Sequence, residues 1–410
     1  MAEPMTLTER RQQAEDLWAQ LGTPSSKLES WRHTNIRQPA VAPADEAPGG
    51  AQPSPAPLAD VDGTIWMVDG VLDLVRSAAP AGVSFTAIES SSHAGIGAVA
   101  RHDRAEDGMT ARNLARFDRG LALHVDKNTK AGVVEVVWLY SSAPAEMELR
   151  QLITVASGAE VTVVERHLGH GARLVNQVTE IDLSANSQLR HCWVQRHGGE
   201  ATHLSKVAVR SGRDSRYFSQ VVQLGAALSR SDVEVSLEGT GASCQLDGVY
   251  HGLGRQHLDN HSVIHHRADH TQSGEHYRGV LDERSTGVFR GNVLIHSGVR
   301  GCHTAQLNRN LLLSETATVH TKPQLEIDND DVTASHGATV GQLDEDALFY
   351  LRSRGIDPVS ARRLLVFAFV AEIIAEVPVA SLRESLYAHL SERLGGADDW
   401  RGTDDDGGLA

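Results

Sequence analysis

Between about Gly120 and Ile327 apolar and polar residues alternate in short bursts, among them VVEVVWLY, RQLITVA, AEVTVVERHL, VTEIDLS, LRHCWVQ, SKVAVRSG, YFSQVVQL, DVEVSLEG and QLDGVYHG. Gly, Ser, Asn or Asp punctuates the bursts and helical periodicity is almost absent, so the segment reads as β-structure. A longer rhythm runs through it. Turns centred on Ala159, Ser187, Ser215 and Ser243 follow one another at 28-residue intervals, and the next, near Ser273, comes slightly late. A fixed period of strand, turn, strand and loop predicts stacked coils, hence a parallel β-helix in which like positions form ladders around a continuous core. With two short strands per turn, one 28-residue unit is expected to make about two coils. The competing architecture for so many short strands is an antiparallel sandwich; the rhythm favours the β-helix.

Helical patterns flank this segment. Thr6 to Leu21 predicts a helix with Thr8 as its cap and Leu17, Trp18 and Leu21 at helical spacing. The stretch 39–57 carries six of the thirteen prolines and reads as an extended linker. TIWMVDGVL and GVSFTAI predict strands, and Thr110 to Phe117 a helix. After Val340 the β pattern stops. A helix capped by Asp344, with Leu348 and Leu351 on one face, ends at Gly355; Pro358 opens a second, and ASLRESLYAHLSERLG forms a third. The expected organisation is an N-terminal helical region with a few strands (1–118), a parallel β-helix core (119–342), a C-terminal helical domain (343–396) and a disordered acidic tail (397–410).

Charge and composition narrow the function. A net charge of −15 argues against a nucleic-acid partner, since phosphate binding needs a basic footprint. No apolar run reaches the ~18 residues of a membrane span, and the N-terminus lacks a signal-peptide core, so a cytoplasmic protein without membrane contact is expected. The three cysteines, Cys192, Cys244 and Cys302, are far apart and form no CxxC pair, which excludes a self-contained thiolate metal site. The absence of a GxxxxGK[ST] loop excludes ATP hydrolysis by the chain itself.

Histidine is the residue type that invites chemistry. Eleven of twenty-one lie between His251 and His336, densest in HLDNHSVIHHRADH, with His257, His261, His265, His266 and His270. On a strand His261 and His265 would stand about 13 Å apart, too far to share an ion, so ladders on stacked coils are the plainer reading. The acidic clusters Asp328, Asp330, Asp331 and Asp282, Glu283 raise a polysaccharide-cleaving β-helix enzyme as a rival, but acidic turns explain them without catalysis. His336, between Ser335 and Gly337, is expected at a strand-to-helix junction at one end of the solenoid, where it faces solvent or a partner.

Four blocks in order, YRGVLDERSTGVFRGNVLI (277–295), QLNRNLLLS (306–314), TKPQLEI (321–327) and SHGATVGQLDEDALFYLRSRGI (335–356), together with ESWRHTNIR (29–37), resemble the SufB/SufD family of iron–sulfur cluster assembly proteins, its SufD branch most closely. The resemblance implies a right-handed parallel β-helix between helical ends. It also implies a non-enzymatic scaffold in a SufB–SufC–SufD complex, with a SufB-like paralogue and a SufC-like ABC-type ATPase as partners, or a homodimer when isolated. ATP would enter only through the ATPase. A transient iron–sulfur cluster or iron would form at the interface with the SufB-like partner, with nothing tightly bound to the isolated chain. His336 matches the family's interface histidine. Leu325, Ile327, Val332 and Ser335 would offer strand edges to the paralogue, and Leu348, Phe349, Tyr350, Arg354 and Phe367 would dock the ATPase. The chain departs from the family pattern in lacking a cysteine at Ser314–Thr318 and in carrying Ala334 two residues before His336, so it offers an imidazole there but no thiolate. The alternative within the same resemblance is a purely structural scaffold, with His336 a hydrogen-bonded turn residue.

Overall fold

The computed structural model describes residues 5–36, 55–90, 95–100, 104–140, 145–169 and 174–394. Most of the proline-rich stretch 39–57 and the whole acidic tail 397–410 lie outside these residues. The described residues form two compact units: those up to 342 apart from 58–60, and residues 58–60 with those described from 343 onward.

The first unit opens with helix α1 (Leu7–Leu21), capped by Thr6 rather than Thr8: the Thr6 hydroxyl accepts from the Glu9 N–H, and the Glu9 carboxylate accepts from the Thr6 N–H. That reciprocal capping box needs an acid three residues after the cap, which Thr6 has in Glu9. Strands β1 (Gly63–Val68), β2 (Val71–Ala78) and β3 (Val83–Ala87) precede helix α2 (Gly108–Arg116). The strands β4 (Arg119–Val125), β5 (Lys130–Tyr140), β6 (Glu146–Val155), β7 (Glu160–Gly169), β8 (Leu174–Leu183), β9 (Gln188–His197), β10 (Thr202–Ser211) and β11 (Arg216–Gln223) build the first half of the solenoid. The second half is β12 (Leu228–Leu237), β13 (Ser243–Gly252), β14 (His257–His266), β15 (Gln272–Leu281), β16 (Thr286–Ile295), β17 (Cys302–Leu312), β18 (Thr318–Ile327) and β19 (Val332–Gly341).

Odd-numbered strands from β5 onward stack in one sheet and even-numbered strands in the other, each pairing in parallel with the strand two ahead. This is the parallel solenoid the rhythm predicts and excludes the antiparallel sandwich. One correction concerns its scale. Glu160 pairs with Gln188 and Gln188 with Arg216, so one 28-residue unit is a single coil, not two. The strands run to about ten residues, and two of that length with their turns consume the whole unit.

The rhythm has a backbone cause. Where the even sheet leads into the odd one, seven successive corners carry a residue in the left-handed region, Asn128, Gly158, Asn186, Asp214, Gly241, His270 and Gly301, with φ between 53° and 75°; the last corner, between β18 and β19, has none. The N–H of each donates to a carbonyl of the next coil, at 2.7–3.1 Å. Gly, Asn and Asp tolerate this conformation, and the turn residues therefore recur once per coil. The Ser187 and Ser215 hydroxyls close the same turns by donating to the carbonyls of Ser184 and Gly212.

Between the sheets lies a core of Val, Leu, Ile, Trp and Tyr, including Val134, Val163, Val235, Ile264, Val293 and Tyr277. Fully burying one such aliphatic side chain contributes roughly 1.5–3 kcal/mol. The N-terminal end of this core is finished by antiparallel pairs, β1 with β2 and β3 with β4. These strands are thus part of the solenoid sheets rather than of a separate N-terminal region.

The ESWRHT segment straps the outer face of the even sheet. Trp31 lies under the Arg230 guanidinium, 3.8 Å from ring centroid to Cζ, and Arg230 in turn donates to Asp259 and to the Ser30 carbonyl, both at 2.8 Å. The Thr34 hydroxyl donates to Asp259 at 2.5 Å, His33 stacks on His320 at 3.9 Å, and Glu29 pairs with Lys322. A buried aromatic and a buried charge-assisted hydrogen bond fix the strap. Trp31→Ala should therefore lower the unfolding free energy of the solenoid transition by about 3–5 kcal/mol in denaturant titration. A loss below about 1 kcal/mol would show that the strap is a passive passenger.

Candidate functional site

The coil formed by β18 and β19 is the last one, and among the described residues each strand has a partner on one side only, β16 and β17 respectively. Their outer edges present unpaired backbone groups, a template for another strand. Leu325 and Val332 are half-buried in this coil, while Ile327 (39% exposed) and Ser335 stand open.

His336 lies in the middle of β19, not at a strand-to-helix junction. The strand continues through SHGAT to Gly341, because its residues pair one for one with β17 from Cys302 to Leu311. In register, His336 extends a column made of Val163, His191, Ser219, Leu246, Glu275 and Gln306, all buried. In-register residues of a parallel sheet share a face. His336 therefore belongs to the inward-facing row, and it is exposed because no further coil covers it.

Behind it the column is polar. Gln306 Nε2 donates to the Glu275 carboxylate, which lies two strands, about 10 Å, from His336. Burial pushes the Glu275 carboxyl up to about 7. The three cysteines are free and buried. Burial pushes the Cys192 thiol up to about 12 and raises that of Cys244 as well, so neither offers a thiolate.

The second unit holds helices α3 (Glu345–Ser353), α4 (Pro358–Ala375) and α5 (Ala380–Arg393). Asp344 caps α3, Asp357 caps α4 with Pro358 in its first turn, and the Asp60 carboxylate accepts from the Ala380 and Ser381 N–H groups at the start of α5. Of the five candidate docking residues, Phe349 (73% exposed), Tyr350 (57%) and Arg354 form an open patch, with the Arg354 guanidinium 5.2 Å from the Tyr350 ring. Leu348 is half-buried, and Phe367 is half-buried with its ring 6.2 Å from that of Tyr387 on α5, so Phe367 packs within its own unit.

The histidine-rich run does not converge on one point. His261 faces Asp259 at 3.0 Å, His265 meets His296 at 3.2 Å, and His266 bonds Thr271 and Ser273. The acidic pairs sit in turns; Glu283 has a φ of 55°. A cluster that sequence reasoning passed over lies elsewhere: His167, His197 and His203, all buried, with one ring nitrogen from each within 4.8 Å of the others. The available signal was the 30-residue step from His167 to His197, about one coil, with His203 just across the following corner.

Fold and site together define a two-sheeted parallel β-solenoid with an open terminal coil and helices after it. Residues 140–369 match the family model for the SUF system FeS cluster assembly SufBD core domain. The chain is 36% identical over 253 residues to an iron–sulfur cluster assembly SufBD family protein of Synechocystis, covering 59% of this chain and 56% of that relative. It is 31% identical over 299 residues to a SufBD family protein of Mycobacterium bovis, covering 70% of this chain and 74% of the relative. Against the iron–sulfur cluster assembly protein SufD of Escherichia coli the identity is 29% over 249 residues, covering 60% and 59%. The chain belongs to the SufB/SufD family of iron–sulfur cluster assembly proteins. It spans little more than half the length of the Synechocystis relative. Among the described residues no helix is long and apolar enough to cross a membrane.

Glu275 gives a test of the polar column. Its carboxyl lies above the ordinary glutamate value in the fold, so the protonated form is favoured there, and the stabilisation is complete at low pH and lost as pH rises toward 7. Over that window the wild-type chain should lose up to about 3 kcal/mol through this one group. Glu275→Gln should flatten the slope while keeping the amide bonded to Gln306. An unchanged pH profile of unfolding would place Glu275 in contact with solvent.

Proposed function

We propose that the chain is the SufD-like scaffold subunit of a SufB–SufC–SufD complex and that His336 contributes a nitrogen donor or a proton carrier to a cluster-forming site completed by a SufB-like paralogue. The exposed imidazole on the uncovered inward row of the last coil is the observation that carries this reading. It is flanked by strand edges at Leu325, Ile327, Val332 and Ser335 that a second solenoid can extend by β-augmentation. Such a junction would convert an end of the fold into a cavity between two subunits. Iron–sulfur clusters are held chiefly by cysteine thiolates. The cysteines here are buried and His336 has no cysteine beside it in sequence, so the thiolates belong to the partner and the nascent cluster is cargo rather than a resident cofactor of this chain.

In the same reading the subunit is not an enzyme, and ATP acts through a SufC-like ATPase. Phe349, Tyr350 and Arg354 supply its docking patch, with Leu348 at the margin. The fit of Phe367 is weaker, since it packs beside Tyr387. The protein works in the cytoplasm, without nucleic acid or membrane.

His336→Ala should leave folding and co-purification with the two partners intact while lowering iron and sulfide retained by the reconstituted complex about tenfold or more. Full cluster loading in that variant would reduce His336 to a surface residue. Replacing Phe349 and Tyr350 together by Ser should release the ATPase in pull-down without loss of the paralogue. Retention of the ATPase would move its docking site elsewhere.

A further inference from the structure

The three buried histidines meet at the corner where the odd sheet hands over to the even one. His167 comes from β7, His197 ends β9 one coil later, and His203 enters from β10 in the opposite sheet. Gly169 prepares the space. It lies in register between Tyr140 and His197, and its missing side chain lets those rings meet edge to face at 4.6 Å. A Cβ there would stand 2.7 Å from that of Tyr140. Trp193 walls the site, 5.3 Å from both His167 and His203, and Trp138 stacks 5.8 Å from His167.

His203 is the residue that ordinary packing does not explain. It is completely buried, yet neither of its ring nitrogens has a hydrogen-bond partner among the described residues. Its in-register neighbours are Val175 and Ser229, so nothing in the column calls for an imidazole. A neutral imidazole carries one N–H and one lone pair, and a dry site leaves both costly unless something takes them up. Burial lowers the proton affinity of His203 and His167 and so favours the neutral form, which is the form that binds metal. His167 is already oriented: its Nδ1 meets the Tyr140 hydroxyl at 3.0 Å and its Nε2 the Glu165 carboxylate at 3.3 Å. Whichever nitrogen ligates, the other keeps a partner, an arrangement that fixes metal-bound histidines in general.

We propose that His167, His197 and His203 bind one divalent transition-metal ion of the zinc class, as a structural clip that ties two successive coils of one sheet to the facing sheet. The geometry is close to ready. Three atoms within 4.8 Å of one another fit inside about 2.8 Å of a common centre, against ~2.0–2.1 Å for a zinc–imidazole bond, so each ring needs to move by less than about 1 Å. An all-nitrogen set suits Zn²⁺ or Co²⁺ over Mg²⁺ or Ca²⁺, which take oxygen. The site is remote in sequence from His336 and does not depend on the assembly role. It departs from the expectation that the isolated chain holds nothing tightly.

The test uses the untagged full chain, refolded from chelator-treated denaturant with Zn²⁺ or Co²⁺ and then passed through buffer containing a competing chelator. About one zinc per chain should remain, with a raised thermal midpoint. Cobalt should give the visible bands of a low-coordinate site, and X-ray absorption on the zinc form should count about three imidazoles. His203→Gln and His167→Gln should each lower retention about tenfold or more, whereas His336→Ala should leave it unchanged. Wild-type chain that emerges with less than about a tenth of an equivalent overturns the site whether or not the variants fold. So does a natively folded His203→Gln that keeps its full complement, or an absorption spectrum without imidazole scattering.

Discussion

Coil-on-coil pairing in strict parallel register is the constraint on which everything else in the solenoid rests. Each strand finds its partner about 28 residues away, and the left-handed corner residues carry the hydrogen-bond ladder around the turn as well as along the strands. A ladder of this kind is satisfied everywhere except at its two ends, and the ends are treated differently. The N-terminal end reverses into the antiparallel pairs β1–β2 and β3–β4. The C-terminal end stops at β18 and β19 with open edges and an uncovered inward row. At that uncovered end a residue of the inward-facing row, His336, is exposed.

The interior is unusual in how much polarity it tolerates. Glu165 accepts from Trp138 and meets His167 and His191, and these hydrogen bonds outweigh burial and hold its carboxyl low. Glu275, bonded to Gln306, is pushed the other way. Two carboxylates in one core thus titrate in opposite directions, and the difference is made by neighbours: two imidazoles beside one, an amide beside the other. A purely hydrophobic solenoid would be easier to stabilise. The polar columns end at His336 in one direction and gather three histidines at a corner in another. The first is exposed and the second buried, and both present imidazole nitrogens.

The strap formed by ESWRHT shows how a short motif acquires its meaning from the fold. Trp31, His33 and Thr34 touch Arg230, His320 and Asp259, residues some 200 to 290 positions away that become neighbours only when the coils stack. The family resemblance of that segment was legible; its partners were not.

The sequence by itself determined the repeat, the parallel architecture, the helical C-terminal region with its Asp344, Gly355 and Pro358 signals, and the family. Each is written in local chemistry: alternation for strands, Asn, Asp and Gly at a recurring corner, carboxylates at helix starts, and motif blocks in fixed order. The scale of one coil per period, the mid-strand position of His336, and the convergence of His167, His197 and His203 were decided by tertiary structure. Register is set by pairing over a whole coil, and which side chains share a corner depends on where the chain turns between sheets. Neither quantity is carried by any short window of residues, so the dense histidine run between His257 and His270 drew attention, while the three histidines that come together were scattered across two coils.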